Sequence, residues 1–287
     1  MHRLVILFLC AALPLVVCTE VALETSVTRL ETPVTLKVAT FNIHDMYVES
    51  ANRSERMRAI ANQLCELDPD LVGFQEAFIK KDRKILIERL REGSRLAYHQ
   101  YYPSGVVGSG LLILSAYPIV GHGFFKFSES NPFYRIKEGD WWAGKGIALA
   151  RVELEDGGVL LDFYDTHAQA SYGNPAYKVI REKQMVEVAG FINRTRTRVG
   201  PLLLVGDMNC WVGQKDFEAV AQGADLRRVM KIPSGIDHIF AGNDPHYRVD
   251  VLGTVEIAGE IAMKEGIVAL SDHRGYISTL RITCGEP

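Results

Sequence analysis

The chain alternates between short apolar stretches and polar, turn-forming segments, and most of the apolar stretches have the length of strands. Val34 to Ile43 alternates apolar and polar positions, as in a strand buried on one face. Leu202 to Val205 is apolar throughout, which is typical of a strand buried on both faces. By the same reasoning we predict strands at Leu71 to Phe74, Leu111 to Leu114, Ile147 to Leu154, Val159 to Tyr164, Ile236 to Phe240, Tyr247 to Leu252 and Tyr276 to Ile282.

Other segments have helical spacing. Asn52 to Leu67 repeats apolar residues at helical intervals and ends just before Pro69, because proline disfavours helix in the residue that precedes it. Lys80 to Arg91 is charged on one face, and Ala176 to Thr195 is the longest predicted helix. The stretch from Phe124 to Trp142 follows neither period, so we predict a long irregular loop rich in aromatic residues.

These elements predict an α/β fold. Strands outnumber helices, and the turn Glu155-Asp156-Gly157-Gly158 joins two of them as a hairpin, whereas other strands are linked by helices. Two β-sheets packed as a sandwich and flanked by helices, in four layers, accommodate this pattern better than a simple barrel or an all-parallel sheet. Because no repeat and no Pro/Gly-rich linker interrupts the chain, we predict one domain over residues 34–287.

The first residues have the pattern of a secretory signal. A short basic start, Met1-His2-Arg3, precedes an apolar stretch from Leu4 to Val17 that is shorter than the roughly 20 residues of a membrane span. We predict a signal peptide over residues 1–18 and an N-terminal lead segment over residues 19–33. An uncleaved anchor or a lipid on Cys18 is the alternative. We expect a secreted, extracellular glycoprotein, and two sequons agree with export, at Asn52 and Asn193.

The composition describes an ordinary globular protein, with 47% hydrophobic and 23% charged residues. A formal net charge of -3 gives no electrostatic footprint for DNA or RNA, so no nucleic acid partner is expected, although a local basic patch stays open. Three cysteines follow the predicted signal peptide, at Cys65, Cys210 and Cys284. This number is small and odd, so the cysteines cannot form a disulfide framework. One pair could bridge, and the sequence does not say which. We expect a monomer.

Short polar motifs stand where the predicted apolar strands end, and their polar members are mainly metal-binding, acid/base and amide side chains. Such positions are held on rigid backbone at a sheet edge, where catalytic groups are usually mounted. Turn formation explains any single motif but not the whole set. The motifs are Phe41-Asn42, Gln75-Glu76, Thr166-His167, Gly206-Asp207-Met208-Asn209, Ile236-Asp237-His238 and Ser271-Asp272-His273.

The motifs offer what hydrolysis of a phosphate diester requires, namely a cation, donors to the phosphate and a base for water. Glu76 is a hard oxygen ligand suited to Mg2+, and Asn42 can place a neutral oxygen beside it. His273 titrates near neutral pH, and Asp237 can fix its tautomer, so this pair is the candidate base.

Asp207 and Asn209 alternate on one predicted extended segment, so we expect both side chains to point the same way. One can hold the attacking water while the other donates to a phosphate oxygen, and His167 is a further donor. In a strand, His238 points away from Asp237. We therefore expect a structural role for His238, and likewise for His44, His99, His122 and His246.

With these motifs the chain resembles the endonuclease/exonuclease/phosphatase superfamily, the metal-dependent phosphodiesterases related to DNase I, over most of its predicted mature length. The resemblance implies a DNase I-like sandwich of two sheets with outer helices. It also implies metal binding by Asn42 and Glu76, phosphate contacts from His167 and Asn209, orientation of water by Asp207, a base formed by Asp237 and His273, and a place for Asp272 beside the metal or the water.

Further segments resemble the neutral sphingomyelinases within this superfamily: Tyr102 to Leu111, Gly139 to Gly146, and Thr166 to Tyr172 with Arg181 and Gln184 downstream. The middle segment is the most specific, because Asp140 and Lys145 have the spacing of an Asp/Lys pair that the family uses near its active site. The alternative is a surface ion pair, which contributes little. The resemblance implies a Mg2+-dependent sphingomyelin phosphodiesterase of the phospholipase C type, which yields ceramide and phosphocholine.

If the substrate is a lipid, the aromatic residues between Phe124 and Trp142 have a second possible role, in contact with the membrane. Tryptophan sits well at a lipid–water boundary, and an aromatic face can hold a quaternary choline. We therefore expect peripheral contact with sphingomyelin in the membrane surface at Trp141 or Trp142. Family members with membrane-spanning helices carry them after the catalytic domain, whereas this chain ends at Pro287, soon after His273, which favours a soluble exported enzyme.

Two alternatives stay open. A secreted nuclease of the DNase I type would share the hydrolytic residues, and a catalytically inactive lipid-binding protein would share the fold. The sequence also leaves open whether the lipid is sphingomyelin or a lysophospholipid.

Overall fold

The structure, a computed structural model, describes residues 30, 32–47, 50–135, 139–154, 158–197, 199–233, 235–263 and 266–285. The predicted signal peptide, most of the predicted lead segment and most of the turn predicted at 155–158 lie outside the described residues. Within the described ranges no helix combines the length and the apolar character needed to cross a membrane. Cys65, Cys210 and Cys284 are free thiols.

The elements follow one another along the chain as an alternation of strands and helices. In order they are β1 (Val34–Asp45), α1 (Arg53–Leu67), β2 (Leu71–Ala77), α2 (Lys80–Gly93), β3 (Tyr98–Tyr101), β4 (Leu112–Ser115), β5 (Ile119–Lys126), α3 (Asp140–Ala143), β6 (Gly146–Glu153), β7 (Leu160–His167), α4 (Ala176–Thr195), β8 (Leu202–Asp207), α5 (Lys215–Gly223), β9 (Leu226–Arg228), β10 (Asp237–Gly242), β11 (Tyr247–Ile257), β12 (Glu260–Met263), β13 (Gly266–Ala269) and β14 (Gly275–Cys284).

Two six-stranded mixed sheets face each other. The first sheet has the order β11-β14-β1-β2-β4-β3, and the second has the order β5-β6-β7-β8-β10-β9. An apolar layer that includes Val38 and Phe163 lies between them. α1 and α2 pack on the outer face of the first sheet through residues such as Ile60, and α4 and α5 cover the second sheet through residues such as Val188. The order helix, sheet, sheet, helix confirms the predicted four-layer α/β sandwich.

Each sheet contains one parallel pair near its centre. β1 and β2 run parallel and are connected through α1, whereas β7 and β8 run parallel and are connected through α4, as parallel neighbours require. The carboxyl ends of two parallel strands meet at the same edge of a sheet. Asn42 therefore pairs with Gln75, and His167 pairs with Asp207, although each pair is far apart in sequence.

The predicted helices and strands are all present, with small differences at their ends, and the predicted hairpin is confirmed by the antiparallel pairing of β6 and β7. The irregular loop predicted from Phe124 to Trp142 is partly wrong. Residues 124–126 belong to β5, and Asp140–Ala143 forms the short helix α3. β5 is a half-exposed strand at the edge of its sheet and contains Gly121 and Gly123, so its apolar alternation is weak.

Candidate active site

The candidate site lies where the carboxyl ends of the two parallel pairs approach each other across the sandwich. Asn42 and Glu76 come from β1 and β2 of the first sheet, and His167 and Asp207 end β7 and β8 of the second. The register places Asp207 between two other candidate residues, with His167 on one side and Asp237 on the other. The polar motifs predicted to act together therefore converge on one end of the sandwich.

Asn42 bridges two carboxylates from different sheets. Its Nδ2 donates to Glu76 Oε1 and to Asp207 Oδ2, each at 3.0 Å, and its Oδ1 accepts from the backbone N–H of His44 at 3.1 Å. In this arrangement the amide nitrogen of Asn42, and not its oxygen, faces Glu76, and metal binding by Asn42 stays a prediction. The amide presents its donor group because two acids converge on it.

Glu76 has the features of a cation ligand. Its backbone is left-handed, with φ 58°, a conformation that costs a non-glycine residue about 1–3 kcal/mol and is concentrated at functional sites. Its Oε2 is buried and has no hydrogen-bond partner among the described residues. Burial raises the pKa of this carboxyl. Because an unpartnered buried carboxylate oxygen is costly unless a cation or a donor satisfies it, Glu76 fits a hard divalent cation.

A second set of potential ligands lies next to Glu76. Asp207, Asp237 and His273 each offer a ligand atom, and these atoms lie within 4.8 Å of one another. Asp237 Oδ1 is also buried without a hydrogen-bond partner in the described part of the chain. Burial and then the charge of Asp237 raise the pKa of Asp207 to about 6. The site concentrates negative charge that a bound cation would neutralise.

The structure brings His273 and Asp237 together. His273 Nδ1 lies 3.0 Å from Asp237 Oδ2, which leaves Nε2 facing the site, 3.7 Å from Asp207 Oδ2. Burial disfavours the charged ring, but the hydrogen bond to Asp237 and the charges of Asp207 and Asp237 outweigh it and raise the pKa of His273 to about 10. The carboxylate on Nδ1 fixes the tautomer and directs Nε2 at the site.

Lys145 is a buried cation in the site. Its Nζ forms an ion pair with Asp140 and lies 2.9 Å both from His167 Nε2 and from the main-chain oxygen of Ala168. Both charged side chains are almost fully buried, so the alternative of a surface ion pair does not apply. Burial and the charge of Lys145 hold the pKa of His167 well below its usual range, so this ring is neutral.

Asn209 departs from the predicted geometry. At Gly206, which has φ 148°, a β-carbon would clash with the main-chain oxygen of Thr166, so the close approach of β7 and β8 requires glycine there. Asn209 itself has φ 52°, so the prediction that Asp207 and Asn209 share one extended segment is wrong. The turn nevertheless keeps them adjacent: Asn209 N–H donates to Asp207 Oδ1 at 3.0 Å, and its Nδ2 donates to the Ala168 oxygen at 3.3 Å.

Asp272, His44 and His238 differ in how far they are exposed to solvent. Asp272 is 60% exposed and lies 3.7 Å from His44 Nδ1, at the mouth of the site and outside the buried cluster. His44, for which we predicted a structural role, therefore faces the mouth. His238 has the structural role predicted: it is buried, its Nε2 bonds to the Cys210 oxygen at 2.9 Å, and burial lowers its pKa to about 4.

Sequence reasoning missed residues that hold the site together. Arg56 of α1 is buried and donates to main-chain oxygens of Ile43 and Leu270, which ties the end of β1 to the segment before His273. The sequence does contain an indication that Arg56 is buried, because this residue lies on the apolar face of its predicted helix, four residues before Ile60. Three further residues lie within or downstream of a segment that resembles the neutral sphingomyelinases, but the sequence does not indicate their role: Gln169, Arg181 and Gln184.

Four aromatic residues form an exposed cluster beside Asp140, which we call the aromatic platform: Phe133, Tyr134, Trp141 and Trp142. Their rings meet edge to face. Trp141 is 41% exposed, whereas the indole N–H of Trp142 is used by the main-chain oxygen of Phe133 at 3.2 Å. Trp141 and Trp142 follow Asp140 directly in α3, so the aromatic platform adjoins the ion pair of Lys145.

Among known protein families, the chain matches the Endonuclease/Exonuclease/phosphatase family over residues 39–273. The matched range begins within β1 and ends at His273, so it contains the candidate site residues described above.

Two curated relatives act on phosphosphingolipids by name. The chain is 36% identical over 178 residues to the putative neutral sphingomyelinase of Drosophila melanogaster, which covers 61% of this chain and 39% of that protein. It is 28% identical over 176 residues to the inositol phosphosphingolipids phospholipase C of Schizosaccharomyces pombe, which covers 61% of this chain and 41% of that protein. The chain thus spans about two fifths of the length of these relatives.

Solved structures of low sequence identity share the fold. Sphingomyelinase C from Streptomyces griseocarneus has a TM-score of 0.67 at 19% identity, covering 86% of this chain and 99% of that chain. A mutant of beta toxin from Staphylococcus aureus, solved with bound magnesium ions, has a TM-score of 0.67 at 17% identity, again covering 86% and 99%. These likenesses confirm the predicted DNase I-like sandwich.

Proposed function

Because the chain belongs to the endonuclease/exonuclease/phosphatase family, we propose that it is a metal-dependent phosphodiesterase that hydrolyses sphingomyelin to ceramide and phosphocholine. The observation that carries the proposal is the buried Lys145 beside His167, in a cluster of acids that also holds the His273–Asp237 pair. Attack on a phosphate diester needs a cation, donors to the phosphate and a base for water. This cluster contains a residue for each requirement.

His273 is placed to act as the general base. Its Nε2 and Asp207 Oδ2 are 3.7 Å apart, a separation that suits a bridging water better than a direct hydrogen bond. Water held there gives its proton to Nε2 as its oxygen attacks phosphorus, and Asp237 stabilises the imidazolium through Nδ1. The bond between phosphorus and the ceramide oxygen breaks, that oxygen takes up a proton from solvent, and the His273 imidazolium then releases its proton to solvent.

Groups that can act on the phosphate come from the segment before β6 and from the loop after β8. Lys145 and Asn209 both bond to the Ala168 oxygen, which places an ammonium and a carboxamide side by side next to His167. Lys145 is almost fully buried, and its three ammonium hydrogens already serve Asp140, His167 Nε2 and the Ala168 oxygen. It therefore acts on an anionic phosphate through its charge, whereas the second Nδ2 hydrogen of Asn209 is available for a direct hydrogen bond. A divalent cation, held by Glu76 with Asp207 and Asp237 nearby, would act as a Lewis acid on the phosphate when bound.

The balance of charge in the site supports a cation cofactor. Glu76, Asp207, Asp237 and Asp140 converge on the same region as Lys145. A phosphate diester adds a further negative charge, which these acids repel. Their hard oxygen ligands suit Mg2+, and the beta toxin of the same fold was solved with magnesium ions. We therefore propose Mg2+ as the cofactor.

The names of the relatives support a phosphosphingolipid substrate and differ in the headgroup, since one is a neutral sphingomyelinase and the other acts on inositol phosphosphingolipids. We propose the choline headgroup, because the aromatic platform beside Asp140 offers ring faces that attract a quaternary ammonium. Inositol offers hydroxyl groups instead and has no charge to place against those rings.

The setting of the enzyme is part of the proposal. The first residues have the pattern of a secretory signal, which supports secretion. The exposed ring of Trp141 supports peripheral contact with a membrane surface. We propose that the protein makes this contact as a monomer. Trp142 is the weaker candidate for that contact, because its indole N–H already serves Phe133.

Release of phosphocholine from sphingomyelin vesicles tests this function. We expect turnover by the wild-type protein with Mg2+ and none with EDTA. His273→Ala removes the base and Glu76→Gln removes a charged ligand, so each should lower turnover by about 100-fold or more. Tyr98→Ala, at the end of the first sheet away from the site, is the matched control and should keep wild-type turnover.

Normal turnover by His273→Ala or by Glu76→Gln would contradict the assignment. Vesicles of an inositol phosphosphingolipid and of lysophosphatidylcholine, assayed in parallel, resolve the headgroup and the lipid class. Nicking of plasmid DNA at low salt would indicate the nuclease alternative. Binding to vesicles without any turnover would indicate an inactive lipid-binding protein.

A further inference from the structure

Gln169 is fully buried, yet each of its polar groups has a partner. Its N–H donates to Gln184 Oε1 at 2.8 Å, and its main-chain oxygen accepts from Arg181 Nη1 at 3.2 Å. Its side-chain Oε1 accepts from the N–H of Asn131 at 3.0 Å, and its Nε2 donates to Asp140 Oδ2. A buried amide that is satisfied on all sides is held in one orientation.

The bond from Gln169 to Asp140 leads directly to the site. Asp140 uses Oδ2 for Gln169 and Oδ1 for the ion pair with Lys145. Lys145 Nζ in turn lies 2.9 Å from His167 Nε2. The Asp140 carboxylate is therefore held between the Gln169 amide and the Lys145 ammonium, and its orientation determines the position of the ammonium.

The two helices on the second sheet hold Gln169 from the opposite side. Arg181 and Gln184 lie three residues apart on one face of α4, and both contact the main chain of Gln169. Arg181 is itself paired with the buried Asp216 of α5 at 2.7 Å. The position of Gln169 is thus fixed by the core of the protein and does not depend on a mobile surface contact.

We propose that Gln169 is a positioning residue for the phosphodiesterase reaction: through Asp140, it fixes Lys145 Nζ against His167. The inference rests on the proposed function in one respect, since it takes the charge of Lys145 to stabilise the phosphate. Gln169 also joins the site to the aromatic platform, because Asn131, which donates to Gln169, accepts from the N–H of Trp141 at 2.8 Å.

The chemistry of the contacts explains why this position needs glutamine. Glutamate has the same length and keeps the acceptor for Asn131, but it turns the donor facing Asp140 into a second acceptor. Leucine fills a similar volume and offers neither group. Asp140 Oδ2 would then lie buried without its donor, which is costly for a carboxylate.

Steady-state kinetics with p-nitrophenylphosphocholine, a water-soluble diester that requires no membrane, tests the proposal. Gln169→Leu and Gln169→Glu should each lower kcat by about 10- to 100-fold, the usual effect of removing a group that orients a functional side chain. KM should change much less, because Lys145 matters most when negative charge builds up in the transition state. Binding of Gln169→Glu to sphingomyelin vesicles should stay at the wild-type level, because glutamate keeps the acceptor for Asn131.

Asp162→Asn provides the matched control. Asp162 is buried at the opposite end of β7, where it accepts from Arg151 and from the N–H of Thr197. This variant removes a buried charge from the strand that precedes Gln169, so it should lower the melting temperature and leave kcat unchanged. If Gln169→Leu does not fold, Gln169→Glu decides the outcome, since it differs from the wild type by a single group.

A second measurement does not depend on turnover. The 1H–15N resonance of the Lys145 ammonium, assigned with Lys145→Arg, should be observable because the group is buried and hydrogen-bonded. It should shift or disappear in the folded Gln169 variants and persist in Asp162→Asn. An unchanged resonance with wild-type kcat in a folded Gln169 variant would overturn the positioning role. If the Lys145 resonance changes in the Gln169 variants but the wild-type protein does not cleave sphingomyelin, the proposed substrate is rejected and the positioning role is retained.

Discussion

The proton affinity of His273 is set by Asp207, Asp237 and Asp272, which together outweigh the burial that disfavours a charged ring. A cation bound among the same acids offsets their negative potential and brings the pKa of His273 back toward the usual value of 6.5. Metal loading would therefore decide whether this ring is free to accept a proton near neutral pH.

Histidine NMR in EDTA and in Mg2+ tests this coupling. In the metal-free protein we expect His273 to titrate near pH 10, and to titrate at lower pH once Mg2+ is added. Because the pKa in the folded state lies above the unfolded value of 6.5, the pair stabilises the protein fully below pH 6.5 and loses that contribution as the pH rises through about 10. Each pKa unit corresponds to about 1.4 kcal/mol.

Urea unfolding of the metal-free protein measures the same effect as free energy. The wild type should lose stability between about pH 6.5 and pH 10, and His273→Gln should lack that part of the pH dependence. The raised pKa of Asp207, about 6, affects a lower pH range and so does not overlap. Identical pH profiles for the two proteins would show that the His273–Asp237 pair does not stabilise the fold.

Asn42 and Asn209 show which properties of single residues the sequence does not determine. Their place in strand-end motifs was enough to predict that they belong to the site. The direction of the Asn42 amide depends on Asp207, a residue of the other sheet, and the left-handed backbone of Asn209 follows from the turn after β8. Identity and approximate location are local properties, whereas orientation depends on tertiary partners.

At the scale of elements, the central strands and the long edge strand β11 were predictable, whereas the short or half-exposed edge strands were not. β1, β2 and β8 have nearly continuous burial, which produces a strong apolar pattern. β3, β5 and β9 lie at or near sheet edges and are partly exposed, and the hairpin β12–β13 stands apart from both sheets. When neither face of a strand is well buried, the alternation of apolar and polar residues is weak. α5 is short, and only a few of its residues are buried.

The aromatic platform is the element for which we expect a lipid contact, and Trp141→Ala tests it. Burial of an aromatic side chain contributes about 1.5–3 kcal/mol, so we expect binding to sphingomyelin vesicles to weaken by about tenfold or more. Turnover of a water-soluble diester that carries no choline should be retained, because the main-chain bond from Trp141 to Asn131 survives the substitution.

Tyr98→Ala is the control for that experiment. Tyr98 is also an exposed aromatic residue, but it lies at the end of the first sheet opposite to Glu76. Vesicle co-sedimentation should not distinguish this variant from the wild type. Equal losses for both variants, or none for Trp141→Ala, would place the lipid contact elsewhere on the surface.

At the scale of the whole molecule, acids from both sheets meet at one end of the sandwich, so a cation bound there holds the two sheets together. We expect Mg2+ to raise the melting temperature of the wild type in a concentration-dependent way, since a ligand at 100 times its Kd adds about 2.7 kcal/mol to the stability. Glu76→Gln should show a smaller rise, and Tyr98→Ala should behave as the wild type. A Glu76→Gln protein with the full rise would remove Glu76 from the cation site.

The sandwich itself could be predicted from the chain, because apolar patterning and the mixture of hairpin and crossover connections restrict the architecture. The approach of Asn42 to Asp207 could not be predicted, because it depends on how the two sheets are packed and not on any spacing within the sequence. The resemblance of the motifs to a known family supplied that grouping.

The pairing of β1 with β14, in which Val34 lies opposite Ile282, joins the first strand of the domain to its last. The ribosome delivers β1 near the start of the domain and β14 near its end, and His273 comes directly before β14. A growing chain therefore lacks its base until almost all of the domain has been synthesised. Under the proposed function, hydrolysis would begin only when translation of the domain is almost complete, and a chain terminated before His273 would carry the acids of the site without the proposed base.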